Sequence, residues 1–405
     1  MIFISRYSSS LRHLDLKNPR AVRLGLNIYA IKSIERALDA SFGEVDQLSI
    51  LCIPSVTNFV YEVEVNGVPY IAKMSFLGLS KPSLEKKYSE VGIERVFEMQ
   101  DDYSKSEDNI IQHETSQLRL LRDHLSIGIP SVVNYHDGVL VMGKVHPSYP
   151  LQEELGSDTT LELPMTYGGL AEKLYQLHRL ARNAEVRSKI AGQYPVAHSK
   201  TDTITKFRRK FLSGDSIFQE IALLGGNGYF AQIAEIYRES CRRLGQLMDK
   251  FPFDEREVIV HGDFKPENIL ISNGRVFFID PDLHLGRPSL DIGRLISRTS
   301  VSLLYEGGSE LNKSSTRDAI DSFIGAVHDV YSLTSDLERE VIAVCCMDIL
   351  NIMSTYLALD PGSVTEYPVN VQQNYRHGLE VVTAVSHAIG IDSLRDFALL
   401  FNTKK

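Results

Sequence analysis

Between Val258 and Arg294 the chain reads VIVHGDFKPENILISNGRVFFIDPDLHLGRPSLDIGR, which sets a carboxylate, an amide and a second carboxylate in order. Asp263 comes first, Asn268 follows five residues later, and Asp280 stands seventeen residues after Asp263. Phosphoryl transfer to a hydroxyl uses these residue types. One carboxylate orients the attacking hydroxyl and accepts its proton, and oxygen ligands hold Mg²⁺ against the phosphates. Positioning and charge neutralisation supply most of the catalysis. Mg²⁺ prefers oxygen ligands, and Asn268 with Asp280 provides them. Asn273-Gly274, between two apolar runs, predicts a tight hairpin because both residues tolerate positive φ. Such a hairpin lets Asp263 and Asn268 before it face Asp280 after it. A lone HGD would be an ordinary turn; the ordered array in a hairpin carries the reading.

The elements that must position these residues follow from periodicity. Residues 18–42 predict a helix with Leu24, Ile28, Ile31, Ile34 and Leu38 on one face. The alternating, Val/Ile/Tyr-rich stretch LSILCIPSVTNFVYEVEVNGVPYIAKMSF then predicts three antiparallel strands, with a polar turn at 54–58 and a hairpin at Asn66-Gly67. The charged residues 77–110 predict an exposed insertion or a short helix with loops. A helix over 112–125 ends before Gly128 and Pro130, and DGVLVMGKV supplies a short apolar strand. Beyond it the chain reads mostly helical, with Leu170, Leu174, Leu177 and Leu180 on one face and His178 packed among them. One strand pair, around Asn273-Gly274, interrupts the helices.

A chain of 405 residues with 43% hydrophobic content sustains one large domain or two medium ones. Its net charge of −9 argues against nucleic acid and anionic membranes as partners. Cys52, Cys241, Cys345 and Cys346 show neither CxxC nor Cys/His ligand spacing, so a reduced, cytoplasmic protein is expected. No segment approaches the roughly 18 consecutive apolar residues of a membrane span.

The run HGDFKPEN…FIDPDLHLGRPSLDIGRL closely resembles the aminoglycoside phosphotransferase and choline kinase family, small-molecule kinases within the protein-kinase-like superfamily. The resemblance implies an α+β, two-lobed protein-kinase-like fold. Its small antiparallel-sheet lobe would span 1–143, and its larger, mostly helical lobe, carrying the acceptor pocket, 144–405. It implies Asp263 as catalytic base, Asn268 and Asp280 as magnesium ligands, His261 as a brace of the catalytic loop and Asp291 as a cap on that loop's backbone. Lys265, in a D-x-K-x-x-N arrangement like that of Ser/Thr kinases, would steady the γ-phosphate. SVTNFVYEVEVNGVPYIAKMSF is similar to the family's nucleotide-covering hairpin. Lys73 would then bind the α/β-phosphates and Glu114, rather than Glu94 or Glu98, would hold that lysine by an ion pair. Ser55, Thr57 and Asn58 would donate to phosphate oxygens. Pro54 and Ser55 replace the glycine of many relatives, which makes a stiffer turn. Residues 139–145, including Met142 and Val145, would form the hinge whose backbone holds adenine. The implied cofactors are ATP, with GTP as the alternative, and Mg²⁺; the implied partner is a small-molecule hydroxyl acceptor such as an antibiotic, choline or a sugar. A cation pocket drawing on Asp318, Asp321 and Asp329 is one form such an acceptor site would take.

Two rivals differ in class. A protein kinase would carry arginine after His261, Phe-Gly after Asp280 and an APE-like element, and none of these is present. A non-catalytic pseudokinase would lack one of Lys73, Asp263, Asn268 or Asp280, and all four are present.

Overall fold

The structure, a computed structural model, describes residues 19–43, 45, 47–55, 57–155, 163–193, 203–212, 218, 221, 228–253, 255–304, 310–357, 359, 364–367 and 369–402. The chain divides into two compact units, one of residues 1–123 and 128–146, the other of 124–127 and 147–405.

The first unit is built on a five-stranded antiparallel sheet. Its strands are β1 (Leu48–Ile53), β2 (Phe59–Val65), β3 (Val68–Met74), β4 (Val132–His136) and β5 (Val139–Gly143), in the order β1-β2-β3-β5-β4. Val65 pairs with Val68 across Asn66 and Gly67, whose φ values of 50° and 80° are those of the expected two-residue turn. Helix α1 (Pro19–Phe42) covers one face. Leu26, Ala30, Ile34, Ala37 and Leu38 are its buried apolar residues among those described, whereas Leu24 is exposed. Of the residues whose spacing marked the helix, Ile34 and Leu38 are buried and Ile31 packs against the same cluster, and Ala30 and Ala37 let the helix lie close against its neighbours.

Residues 77–110, expected as an exposed insertion or a short helix with loops, are more helical than either alternative. They hold two helices, α2 (Lys81–Val91) and α3 (Ile93–Ser104). Ser80 accepts from Ser83 N (3.4 Å) as an N-cap. Ile93, Val96, Gln100 and Ser104 recur at spacings of three and four and are buried, a periodicity that the surrounding charges obscure. Gln100 then ties α3 to the end of β3, donating to Ser75 O (3.0 Å) and accepting from Leu77 N (2.8 Å).

Strand alternation sends successive side chains to opposite faces. Val139 and Val141 enter the cluster under α1, while Leu140 and Met142 join Ile111 and Leu118 of helix α4 (Ile110–His124). Both faces of β5 are therefore buried.

The second unit is mostly helical. Helices α5 (Leu151–Glu154), α6 (Leu163–Arg179), α7 (Ala184–Gln193), α8 (Thr203–Phe207) and α9 (Gly228–Met248) precede the motif region. After it come α10 (Pro288–Ser302), α11 (Glu310–Tyr331), α12 (Ser335–Tyr356), α13 (Val369–Arg376), α14 (Gly378–Ala388) and α15 (Leu394–Leu399). Helix α6 packs on α11, and α10 on α12. The expected strand pair is part of something larger. β6 (Tyr149–Pro150), β8 (Ile269–Ser272) and β9 (Arg275–Phe278) form a three-stranded sheet, and β7 (Val258–Val260) pairs separately with β10 (His284–Gly286). The extra strands are two and three residues long, too short to show a period. Among the described residues no helix is long and apolar enough to cross a membrane.

Candidate active site

In the first unit the strand register decides what Lys73 meets. Lys73 pairs across the sheet with Leu140, so it shares the face that α4 covers, while Ala72 and Met74 turn toward the α1 side. On α4, Glu114 lies between Ile111 and Leu118 at helical spacing, and all three are buried. The result is a buried ion pair, Lys73 Nζ to Glu114 Oε2 at 2.7 Å. The 54–58 turn leads into β2. Asn58 N donates to Ser55 Oγ (3.3 Å), Asn58 is buried and Thr57 is exposed. Met142 packs its side chain inward with Leu140, and Val145 follows β5, partly exposed. Lys144 between them is paired to Glu62 (2.6 Å).

In the second unit the loop from His261 to Asn268 is held from below by Asp291. Its carboxylate accepts from His261 N (2.6 Å) and Gly262 N (3.0 Å), and from His178 Nε2 (3.1 Å). Tyr331 Oη and His178 Nδ1 share a hydrogen bond (2.8 Å), which orients the imidazole toward Asp291. The histidine expected to be plain core packing is thus the orienting partner of this cap. Burial would raise the Asp291 pKa, but the hydrogen bond and charge of His178 and the loop amides outweigh it and hold the group below its ordinary value. His261 is fully buried, edge-on to Phe264 and Phe278, and burial lowers its pKa, which keeps it neutral.

Gly262 makes this loop possible. Its φ is +80°, and a Cβ there would lie 2.2 Å from Asp282 O. The same approach lets Asp282 N donate to His261 O (2.8 Å), drawing the segment after the hairpin against the segment before it.

The carboxylate of Asp263 stands among three partners. Lys265 Nζ lies 2.7 Å from Oδ2, Arg294 Nη1 lies 3.2 Å from Oδ1, and Asn268 Nδ2 donates to Oδ2 (2.9 Å) and to the backbone O (2.9 Å). Burial works against its charge, but Lys265 and Arg294 win and hold the carboxyl well below the ordinary range. Burial likewise opposes the Lys265 charge, yet Asp263 and Glu267 raise that pKa.

Ile279 N donates to Asn268 O (3.0 Å), so the hairpin sets Asp280 beside Asn268. Asp280 adopts a φ of +53°, a conformation that a non-glycine residue keeps only where its surroundings impose it. These residues fit a divalent cation. Asn268 has its Nδ2 committed to Asp263, which leaves Oδ1 as the atom that would face a cation, and Asp282 Oδ2 is buried with no hydrogen-bond partner among the described residues.

Sequence reading missed the support behind Asp263. Arg294 also donates to Gly262 O, to Thr203 Oγ1 (2.6 Å) and to Asp348 Oδ1 (3.2 Å), and Arg298 Nε holds Asp348 Oδ2 (2.6 Å). The available signal was Asp348 itself, a carboxylate inside the apolar run VIAVCCMDILNIM, where a charge is kept only if it is paired. Arg287 serves structure, bound to Glu340 (2.9 Å), Glu255 (2.8 Å) and Glu257 (2.9 Å). Asp318, Asp321 and Asp329 are all exposed on α11.

A model of the phosphotransferase enzyme family matches residues 96–312, more than half of the chain, and the chain belongs to that family. None of the curated proteins compared with it matches. Similar solved structures include a spectinomycin phosphotransferase in complex with ADP and spectinomycin (14% identity, TM-score 0.47, covering 91% of this chain and 97% of that one). Others are a choline kinase from Streptococcus pneumoniae (15%, 0.45, 88% and 99%) and an ethanolamine kinase from Plasmodium vivax (16%, 0.49, 91% and 89%).

Proposed function

We propose that this enzyme transfers the γ-phosphate of ATP to a hydroxyl of a small molecule, with Asp263 as the base. The observation that carries the reading is the setting of Asp263. A general base must be ionised, accessible and fixed in direction. Lys265 and Arg294 keep this carboxylate ionised, Asn268 fixes its orientation, and 24% of its side chain remains exposed for an acceptor.

Lys73, held by Glu114, would neutralise the α- and β-phosphates, and the donors of Ser55, Thr57 and Asn58 would meet phosphate oxygens. Residues 139–145 would hold the base of the nucleotide through their backbone, next to Met142 and Val145. Asn268 and Asp280 would hold Mg²⁺, which when bound offsets the charge of the phosphates. Lys265 would share its charge between Asp263 and the transferring phosphoryl group. In-line attack then requires the acceptor hydroxyl to donate to Asp263 while its oxygen faces the γ-phosphorus.

The deciding measurement is ADP release, with and without Mg²⁺, across aminoglycosides, nucleoside antibiotics, choline, sugars and amino-acid alcohols, using ATP and GTP in turn. Acceptor-stimulated turnover that disappears in Asp263→Asn is the expected result. Undiminished turnover in that variant would remove Asp263 from the role.

A further inference from the structure

Among the described residues, the cations around Asp263 are engaged except for Lys206. Lys265 is paired with Asp263, and Arg294 is divided among Asp263, Thr203 and Asp348. Arg298 is committed to Asp348. Lys210 is saturated by Asn351 O (3.3 Å), Ser354 Oγ (3.0 Å) and Thr355 Oγ1 (3.5 Å). Lys206, on α8, makes no hydrogen bond or ion pair with any described residue, yet it lies within electrostatic reach of Asp263, Asp282, Arg294 and Lys210.

Its position is not accidental to the base. Thr203, three residues earlier, accepts from Arg294 Nη2 (2.6 Å) and, through its carbonyl, from Asn351 Nδ2 (2.8 Å). Ile204 and Phe207 are buried. The arginine that fixes Asp263 therefore also fixes the short helix that carries Lys206. Part of the Lys206 side chain is open to solvent, so a small molecule can reach it. The packing around it and the neighbouring Arg294 push its pKa down to about 8. A half-buried ammonium with no hydrogen-bond partner among the described residues gains from an anion brought to it.

We propose that Lys206 is a specificity residue that binds an anionic group, carboxylate or phosphate, on the acceptor whose hydroxyl faces Asp263. This rests on the phosphotransfer reading above. The aspartates of α11, Asp318, Asp321 and Asp329, are exposed and not packed in this way.

Two measurements test it on the full chain. In the first, acceptors differing only in the anion are compared: D-ribose, D-ribonate and D-ribose 5-phosphate, then glycerol, glycerate and glycerol 3-phosphate. Turnover is expected with one class of anionic member. Lys206→Met is then expected to raise that acceptor's KM roughly 10- to 100-fold, the range for a hydrogen bond to a charged group, with the nucleotide KM unchanged and Lys206→Arg largely restoring it. In the second, acetylation of Lys206 is followed by peptide mass, with no turnover required. Protection by the carboxylates alone or by the phosphates alone supports the proposal and names the source of the anion. Protection by neither overturns it, as does turnover of a neutral or cationic acceptor unaffected by Lys206→Met. Acceptor turnover that survives Asp263→Asn would instead overturn the underlying reading, whatever the lysine data show.

Discussion

The guanidinium of Arg294 bridges two carboxylates, lying 3.2 Å from Asp263 Oδ1 and 3.2 Å from Asp348 Oδ1. The loop from His261 to Asn268 and α12 are thereby joined through one buried side chain on α10. Replacing Arg294 by Met should cost about 3 kcal/mol of stability, as removal of one partner of a buried ion pair does. It should also lower kcat more than the nucleotide KM changes. A thermal melt together with steady-state kinetics checks both; unchanged kcat in a folded variant would separate Arg294 from the base.

If Asp263 is the proposed base, its loss is severe. Asp263→Asn keeps size and hydrogen-bonding shape, so the protein should fold, while kcat falls by about 10²- to 10⁴-fold, the usual contribution of general base catalysis. Single-turnover kinetics distinguish this from a defect in binding.

The direction of the Asp263 shift sets the acid side of the pH profile. A carboxyl held below its ordinary value stays ionised as pH falls through the normal carboxylate range. Its ionised form contributes stability above the unfolded value of about 3.8, and that contribution is lost only as pH falls through the lower folded value. Activity should therefore show no loss attributable to Asp263 between pH 7 and roughly 5, by the linkage just given. In Lys265→Met, with one opposing charge removed, the acid limb should move upward. An unmoved limb would assign it to another group.

Lys73 and Glu114 should behave as a unit. Lys73→Ala should raise the nucleotide KM and lower kcat. Glu114→Gln keeps a hydrogen-bonding group near the ammonium but removes its charge, and should show a smaller version of the same defect. In a double-mutant cycle the two effects should fall short of adding, because the residues touch at 2.7 Å. Additive effects would mean that the pair does not act as one.

Gly262 admits no side chain. Gly262→Ala forces a Cβ against Asp282 O at 2.2 Å and a positive φ, so one of the loop contacts must yield. A cost on the order of 1–3 kcal/mol, the usual range for such strain, should appear as a lower melting temperature. Native-like stability in this variant would mean that the loop adopts another path.

Much of this architecture was readable before any coordinates. Asn66-Gly67 and Asn273-Gly274 signal their turns locally, since the required positive φ depends on two residues only. The order of Asp263, Asn268 and Asp280 needs just one hairpin to become a constellation. The core face of α1 was less legible, because Ala30 and Ala37 mark close packing only when the partner surface is known. The helices α2 and α3 were hidden for a related reason. Their buried stripe is narrow, and polar Gln100 and Ser104 form part of it.

What the sequence determined by itself is therefore the local and the ordered: turn chemistry, strand alternation, and the succession of carboxylate, amide and carboxylate along one hairpin. Tertiary structure decided which distant charges meet. Arg294 reaches Asp348 across fifty-four positions and Asp263 across thirty-one. His178 reaches Asp291 across one hundred and thirteen. No period or spacing encodes such pairs. They are selected because a charge enclosed by α10 and α12 is tolerated only when an opposite charge is packed against it, and that choice is made by the packing of the helices.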